Sequence, residues 1–303
     1  MIMKMNLGLI QFTPAMGPAS VPENRKKVAE LIEKAMEAEI RPDLLMLPEN
    51  WQATTDYVSK VQMSRKEKAD AMKEPIDGES IMMLRELAKK HHVWIAGGSI
   101  VLEKVKGEKP YNSMVIINRE GEVAAVYDKT HLCEWVHEND GVEYGNGIVP
   151  VETEFGILAP ILCYDIRFQE LIRGYAIAGA KFLLVPACFQ TNLSQWRMLL
   201  QARATENQMY VLGCGCCGDN PPEFKGQPYQ VDEAGQQYLG GQPFVHYMGH
   251  SMVVDPTGRI VAEAGDDECI LTATIETDYV EKVRAGVWYL ESMRPEVYTH
   301  YKK

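Results

Sequence analysis

The chain has 303 residues, 46% of them hydrophobic and 24% charged, enough to bury a large core without metal or disulfide support. Its 31 Lys and Arg against 42 Asp and Glu give a formal net charge of −11. With no long basic run, that balance argues against nucleic acid and membrane surfaces as partners, because both are anionic.

In chain order, residues 5–13 read as a buried strand, and residues 21–40 as an amphipathic helix with Val28, Leu31, Ile32, Ala35 and Met36 on one face. Ser20 stands where an N-cap is expected, with Pro22 in the first turn and Glu23 three residues on. Residues 43–47 form a short apolar strand stopped by Pro48. A helix is expected over 78–91, closed by His91 and His92, then one strand over 93–101. Residues 112–127 suit two strands around a turn at Glu120–Gly121. A strand at 156–162, a helix at 167–179, a strand at 181–186, a helix at 194–207 and a strand at 208–214 follow. Strands at 250–255, 259–264 and 268–275 come later, the first two joined by a turn at Asp255–Gly258, and a helix at 277–286 leads into a tail. Helices interleave with strands, as in an α/β fold. Segment 218–248, rich in Gly, Pro and Gln, is expected to be a long inserted loop.

The opening residues lack a signal peptide's apolar length and cleavage site, and no apolar stretch is long enough to span a bilayer. The seven cysteines, Cys133, Cys163, Cys188, Cys214, Cys216, Cys217 and Cys269, are irregularly spaced. Free thiols in a cytoplasmic protein are the expected reading.

Three apolar strands each end in one titratable residue: 43–47 in Pro48-Glu49, 122–128 in Lys129 and 156–162 in Cys163. In α/β folds reactive sites gather at that edge of the sheet. A thiol, a carboxylate and an ammonium brought together there would suit nucleophilic catalysis. The carboxylate would take the thiol's proton and the ammonium would hold an oxyanion. Taken singly, each has a plainer reading: a small buried hydrophobe, a turn glutamate, a solvated lysine.

The words around these residues decide between the readings. Pro48-Glu49-Asn50, Asp128-Lys129-Thr130-His131-Leu132 and Cys163-Tyr164-Asp165-Ile166-Arg167-Phe168 occur in an order that resembles the signatures of the nitrilase-like carbon–nitrogen hydrolases. Gln11-Phe12, Arg203-Ala204-Thr205-Glu206-Asn207 and Gly249-His250-Ser251 extend the resemblance over about residues 5–285. It implies a four-layer α-β-β-α sandwich, with residues 1–285 as one domain and a tail, 286–303, packing on a partner in a homodimer or larger homo-oligomer. It implies Glu49 as general base, Lys129 as oxyanion stabiliser, Cys163 as the thiol that forms an acyl-enzyme, and the Tyr164 N–H in the oxyanion hole. A second glutamate should orient the lysine: Glu138 fits best, ahead of Glu134 and Glu143. No metal or organic cofactor is implied.

The Cys163 segment looks most like the omega-amidase branch, which hydrolyses the side-chain amide of short dicarboxylate monoamides. Arg167 could grip such a carboxylate, or it could pair with Asp165. Phe189 falls at a pocket wall or in plain core. Gln169 replaces the branch's usual Pro, and the length of 218–248 also departs from its pattern. An N-carbamoyl amine hydrolase, a nitrilase and a non-catalytic interaction protein on the same scaffold are the other readings. Cys214-Gly215-Cys216-Cys217, with His246 or His250, lacks the spacing of a zinc site and reads better as buried thiols. His131 could serve Cys163 as in papain-like proteases, but the Glu–Lys pair makes it a supporting residue instead.

Overall fold

The strands pair into two mixed sheets in the computed structural model, which describes residues 3–53, 63–190, 193–220, 227–228, 230–231, 237–239, 242–243 and 245–298. The first half runs β1 (Lys4–Gln11), α1 (Val21–Met36), β2 (Leu44–Met46), α2 (Arg65–Met72), α3 (Glu79–His91), β3 (Trp94–Ala96), β4 (Ile100–Leu102), β5 (Tyr111–Ile117) and β6 (Val123–Asp128). The chain continues through α4 (Glu138–Gly141), β7 (Val151–Thr153), β8 (Gly156–Pro160), α5 (Gln169–Ile177), β9 (Phe182–Ala187), α6 (Leu193–Asn207) and β10 (Tyr210–Gly215). After these come β11 (Cys217–Asn220), β12 (Gln230–Val231), β13 (Gln237–Leu239), β14 (Gln242–Pro243) and β15 (Val245–Met248). The last elements are β16 (Met252–Val254), β17 (Ile260–Glu263), β18 (Cys269–Glu276), α7 (Tyr279–Gly286) and α8 (Pro295–Tyr298).

One sheet has the order β18-β1-β2-β3-β5-β4 with β6 on β5, and the other β17-β16-β10-β9-β8-β7. Alternation along the strands sorts side chains between two cores. Leu7, Leu9, Leu44, Met46, Met114 and Ile116 of the first sheet face Leu158, Phe182, Leu184, Leu212 and Cys214 of the second. The intervening residues point outward to helices. Ile10, Leu45, Ile95 and Val115 meet Val28 and Ile32 of α1 and Ile81 and Leu84 of α3. Ala159, Leu183, Val185 and Val211 meet Ile172 and Tyr175 of α5 and Trp196 and Leu200 of α6. The layers are therefore α-β-β-α, as the resemblance implies.

Several expectations need correction. The strand expected over 93–101 breaks into β3 and β4 at Gly97–Gly98. The helix expected from 167 begins at Gln169, because Cys163–Arg167 coils into a 3-10 turn first. Ser20 does not cap α1: its backbone is already helical, and its hydroxyl donates to the Met16 carbonyl at 2.8 Å. Segment 218–248, expected to be a loop, lies partly outside the described residues; the rest is largely strand. There β11 pairs antiparallel with β15, from Cys217 opposite Met248 to Asn220 opposite Val245, and β12, β13 and β14 form a small sheet. Among the described residues no helix is long and apolar enough to cross a membrane.

Candidate active site

Each of the three strand ends is held by backbone contacts from a neighbouring element. Beyond β2, the Leu47 N–H donates to the Ala96 carbonyl at 3.0 Å, and the chain turns at Asn50 with φ 51. The break between β3 and β4 makes room for that turn. A Cβ on Gly98 (φ 59) would stand 2.1 Å from the Pro48 carbonyl oxygen, so only glycine lets the two segments meet. Beyond β6, the Lys129 N–H donates to the Asn112 carbonyl at 2.9 Å and the Gly145 N–H donates to the Lys129 carbonyl at 2.8 Å. Gly145 is pressed equally close, its absent Cβ falling 2.1 Å from the Asp128 carbonyl oxygen.

Beyond β8 the Ile161 N–H donates to the Leu184 carbonyl at 3.0 Å, and Cys163 then opens the 3-10 turn with φ 43. Such a value is uncommon outside glycine and marks a conformation imposed by its surroundings. Asp165 imposes it. Its fully buried carboxylate accepts from the Leu162 N–H at 3.0 Å, the Tyr127 hydroxyl at 2.7 Å, and both the N–H and Nδ1 of His131 at 2.8 Å. One side chain thus ties the Cys163 turn to the strand and loop that carry Lys129.

The polar side chains converge. Lys129 and Glu49 are each 2% exposed, and Lys129 Nζ donates to Glu49 Oε1 at 2.9 Å and to Glu138 Oε1 and Oε2 at 3.0 Å. The Cys163 thiol lies close enough to the Glu49 carboxylate to lower its pKa. The Cys188 N–H donates to Glu49 Oε2 at 3.1 Å. Asn112 Nδ2 donates to Glu49 Oε1 at 3.1 Å and to Glu138 Oε1 at 3.0 Å. Cys163 keeps partial solvent access, so the cluster is not sealed.

Burial and charge compete at each of these groups. Burial raises the Glu49 carboxyl above the usual carboxylate range despite the pull of Lys129, and the negative charge of Glu138 adds to the rise. Burial also works against the Lys129 ammonium, but Glu138 and then Glu49 outweigh it and hold the lysine charged well above its ordinary value. Glu138, also desolvated, is kept below the usual range by Lys129 and by the Cys133 N–H, which donates to it at 2.8 Å. The Cys163 thiol is pushed well up, first by burial and then by the Glu49 charge, with Lys129 opposing. The resting site is therefore a neutral thiol beside a carboxylate of raised basicity. Such a pair can pass a proton as the sulfur attacks, with a fixed cation at hand for a developing oxyanion.

Glu49, Lys129, Cys163 and Glu138 come together, and the weaker candidates for the second glutamate do not. Glu134 accepts from the Tyr144 hydroxyl, and Glu143 pairs with Lys109. Tyr164 follows Cys163 in the turn, its ring edge-on to Phe168 with centroids 5.3 Å apart. Arg167 is exposed and does not pair with Asp165, whose oxygens are taken up by His131, Tyr127 and Leu162. Its guanidinium lies over the rings of Tyr164 and Phe189, at 5.6 and 5.5 Å, and donates to Gln195 at 2.9 Å. Phe189 belongs to the core, where it packs on Trp196 (centroids 4.9 Å apart), while its ring faces Arg167. His131 stacks on Phe168 at 3.7 Å and is engaged with Asp165, so the papain-like pairing with Cys163 does not form.

Asn112 and the positioning part of Asp165 escaped the sequence reading. A polar pair, Asn112-Ser113, near the start of a strand that continues as apolar residues was the only local signal for Asn112. The cysteines of 214–217 are spread over separate contacts, with Cys214 on the Ile10 and Met46 carbonyls, Cys216 near the Glu49 carbonyl and Cys217 by Thr13. Among the described residues no group of three His, Cys, Asp or Glu is placed to hold a metal ion.

Comparison with known proteins agrees with this architecture. The model of the carbon–nitrogen hydrolase family matches residues 6–285. The chain is 31% identical over 298 residues to the 2-oxoglutaramate amidase of Bacillus subtilis (strain 168), covering 98% of this chain and 100% of that one. It is 31% identical over 287 residues to omega-amidase NIT3 of Saccharomyces cerevisiae, covering 91% and 89% of the two chains. The crystal structure of Saccharomyces cerevisiae Nit3, a member of branch 10 of the nitrilase superfamily, superposes with a TM-score of 0.76 at 27% identity, covering 96% of this chain and 97% of that one.

Proposed function

Because the chain belongs to the carbon–nitrogen hydrolase family and is an amide-hydrolysing enzyme, we propose that it cleaves the ω-amide of a short dicarboxylate through an acyl-enzyme on Cys163. The observation that carries the reading is the convergence of the Cys163 thiol, the Glu49 carboxylate and the Lys129 ammonium at the ends of three strands.

In this mechanism Sγ attacks the amide carbon as its proton passes to Glu49. The carbonyl oxygen becomes an oxyanion, which Lys129 and the Tyr164 N–H stabilise. Glu49 returns the proton to the nitrogen as the C–N bond breaks, releasing ammonia and leaving a thioester. Water then attacks the thioester carbon, Glu49 takes its proton, and collapse of the second tetrahedral species expels the sulfur, which regains the proton from Glu49. Each acid–base step is worth about 10²- to 10⁴-fold in rate and each oxyanion donor about 10²- to 10³-fold. The raised basicity of Glu49 suits it to both directions of transfer.

Two features support a dicarboxylate monoamide as substrate. Among the described residues no carboxylate pairs with Arg167, which stands at the rim of the Cys163 turn with a planar fork suited to a carboxylate. Of the amidase relatives named above, one is by name a 2-oxoglutaramate amidase and the other an omega-amidase. The same reading takes residues 1–285 as one catalytic domain in the cytoplasm. The 286–303 tail, where Val287, Trp288 and Tyr289 are exposed, would pack on a second copy in a homodimer or larger homo-oligomer.

The test is an ammonia-release panel of ω-amides of 2-oxo dicarboxylates, neutral amides, N-carbamoyl amines and nitriles, run on wild type and Cys163→Ala. Turnover of the monoamides, lost in the variant, is expected. Retained turnover in Cys163→Ala removes the nucleophile, and activity confined to carbamoyl compounds or nitriles removes the substrate class.

A further inference from the structure

Lys129 has a problem of stoichiometry. An ammonium has three protons, and all three find acceptors in the resting site: Glu49 Oε1 at 2.9 Å and the two oxygens of Glu138 at 3.0 Å. To donate to a substrate oxyanion, Lys129 must withdraw a proton from one of these oxygens. In a dry site a carboxylate oxygen stripped of its donor is costly, and that cost falls on the transition state.

Asn112 removes the difficulty. Its side chain is buried, 3% exposed, and the two protons of Nδ2 are directed at two acceptors, Glu49 Oε1 at 3.1 Å and Glu138 Oε1 at 3.0 Å. These are the Oε1 atoms that Lys129 also holds. The Asn112 backbone is fixed as well, its carbonyl accepting from the Lys129 N–H at 2.9 Å, so amide and ammonium keep a constant spacing. We propose that Asn112 is a positioning residue that keeps a hydrogen bond on whichever Oε1 Lys129 releases, freeing the lysine to serve the oxyanion. Only an uncharged double donor fits, since a carboxylate there would face Glu49 and Glu138 with a third negative charge. The proposal rests on the acyl-enzyme reading above and adds a residue to it.

The experiment compares wild type, Asn112→Ala and the isosteric Asn112→Asp in three measurements. The first is kcat and KM on the best amide substrate. The second is inhibition by the corresponding aldehyde, which adds to Cys163 and builds the tetrahedral oxygen. The third is the rate at which iodoacetamide alkylates Cys163, a reaction with no oxyanion. The expected result for Asn112→Ala is a fall of roughly 10- to 100-fold in kcat, less than one lost oxyanion donor costs at its largest. Aldehyde affinity should fall in parallel, with KM and the alkylation rate within about threefold of wild type. Asn112→Asp should show the same split and lose more activity at alkaline than at acid pH, because protonating the new carboxyl restores one donor. The isosteric variant carries the test if the alanine variant fails to fold. Aldehyde affinity and kcat close to wild type, or an alkylation rate that falls as far as kcat in both variants, would overturn the proposal. A wild-type enzyme without amide turnover, or an active Cys163→Ala, would instead strike the reading beneath it.

Discussion

Replacing Lys129 with Met tests the electrostatic core of the site through stability as well as rate. The methionine is close in volume, so the loss is of charge rather than packing. The ammonium it replaces is the cation that Glu49 and Glu138 share within hydrogen-bond distance. Removing one partner of a buried ion pair costs about 3–5 kcal/mol, because the charge left behind has no compensation. In a chain of this size that corresponds to a fall in Tm of about 5–8 °C at pH 8.

The gap should depend on pH. Without Lys129, both carboxyls are desolvated and repel each other, so their folded pKa values rise above the ordinary 4.5. A folded state that binds more protons than the unfolded state loses stability as pH rises. The variant should therefore recover part of the deficit between pH 8 and pH 5. Wild type should change less over that window. Of its two carboxyls only Glu49 is raised above the ordinary 4.5 and weakens the fold as pH rises; the Lys129 contribution is lost only above the lysine's ordinary 10.5, and the Glu138 contribution only below the ordinary 4.5. Thermal unfolding followed by circular dichroism at pH 5, 6, 7 and 8 measures both gaps. A variant as stable as wild type at pH 8, or a deficit that does not shrink on acidification, would refute the argument that this lysine compensates two buried carboxylates.

Three other outcomes follow from the same geometry. The acid limb of kcat/KM should lie above the ordinary carboxylate value of 4.5, because burial and Glu138 raise Glu49 and the base must be ionised to act; a limb at or below it, measured on wild type with a saturable amide, contradicts Glu49 as base. Arg167→Met should raise KM for dicarboxylate monoamides at least about tenfold, the loss of a charge-assisted pair, and leave neutral amides almost unchanged; equal effects on both would remove Arg167 from carboxylate recognition. Asp165→Asn should lower both Tm and kcat, because its oxygens hold four donors from Leu162, Tyr127 and His131 and an amide offers one oxygen in place of two. A crystal structure of that variant with the Cys163 turn undisturbed would count against Asp165 as its anchor.

How much of this was legible depends on whether a residue's partners are near it in the chain or its own segment carries a signal. Glu49, Lys129 and Cys163 each close an apolar run, and the ends of buried strands are where a chain can present a polar group without burying it unpaired. Glu138 was reached only through the family resemblance, which implies a second glutamate after the Lys129 motif. Asn112 could not be reached: its side-chain partners lie 63 and 26 positions away, and nothing in Tyr111–Ile117 says that an interior polar residue faces two carboxylates. The break at Gly97–Gly98 was misread for a related reason. Within VWIAGGSIV two glycines look like a weak point in one strand, and only the approach of the Pro48 carbonyl shows why a side chain is forbidden there. In segment 218–248 the described strands rest on pairing, β11 with β15 and β13 with β12 and β14, which a linear pattern cannot reveal.

The glutamate, the lysine and the cysteine that converge were thus visible, whereas the residues that hold them in register were not. Positioning groups take their meaning from pairs of distant neighbours. The one exception proves instructive: Asp165 lay in plain view two residues from Cys163, yet its nearest cation in sequence, Arg167, suggested an ion pair. The structure turns the carboxylate inward because four backbone and side-chain groups of its own turn, β6 and the following loop find their acceptor there. Satisfying buried donors outweighs an exposed ion pair worth at most about 1 kcal/mol. The same preference leaves Arg167 at the rim, where a substrate carboxylate can meet it.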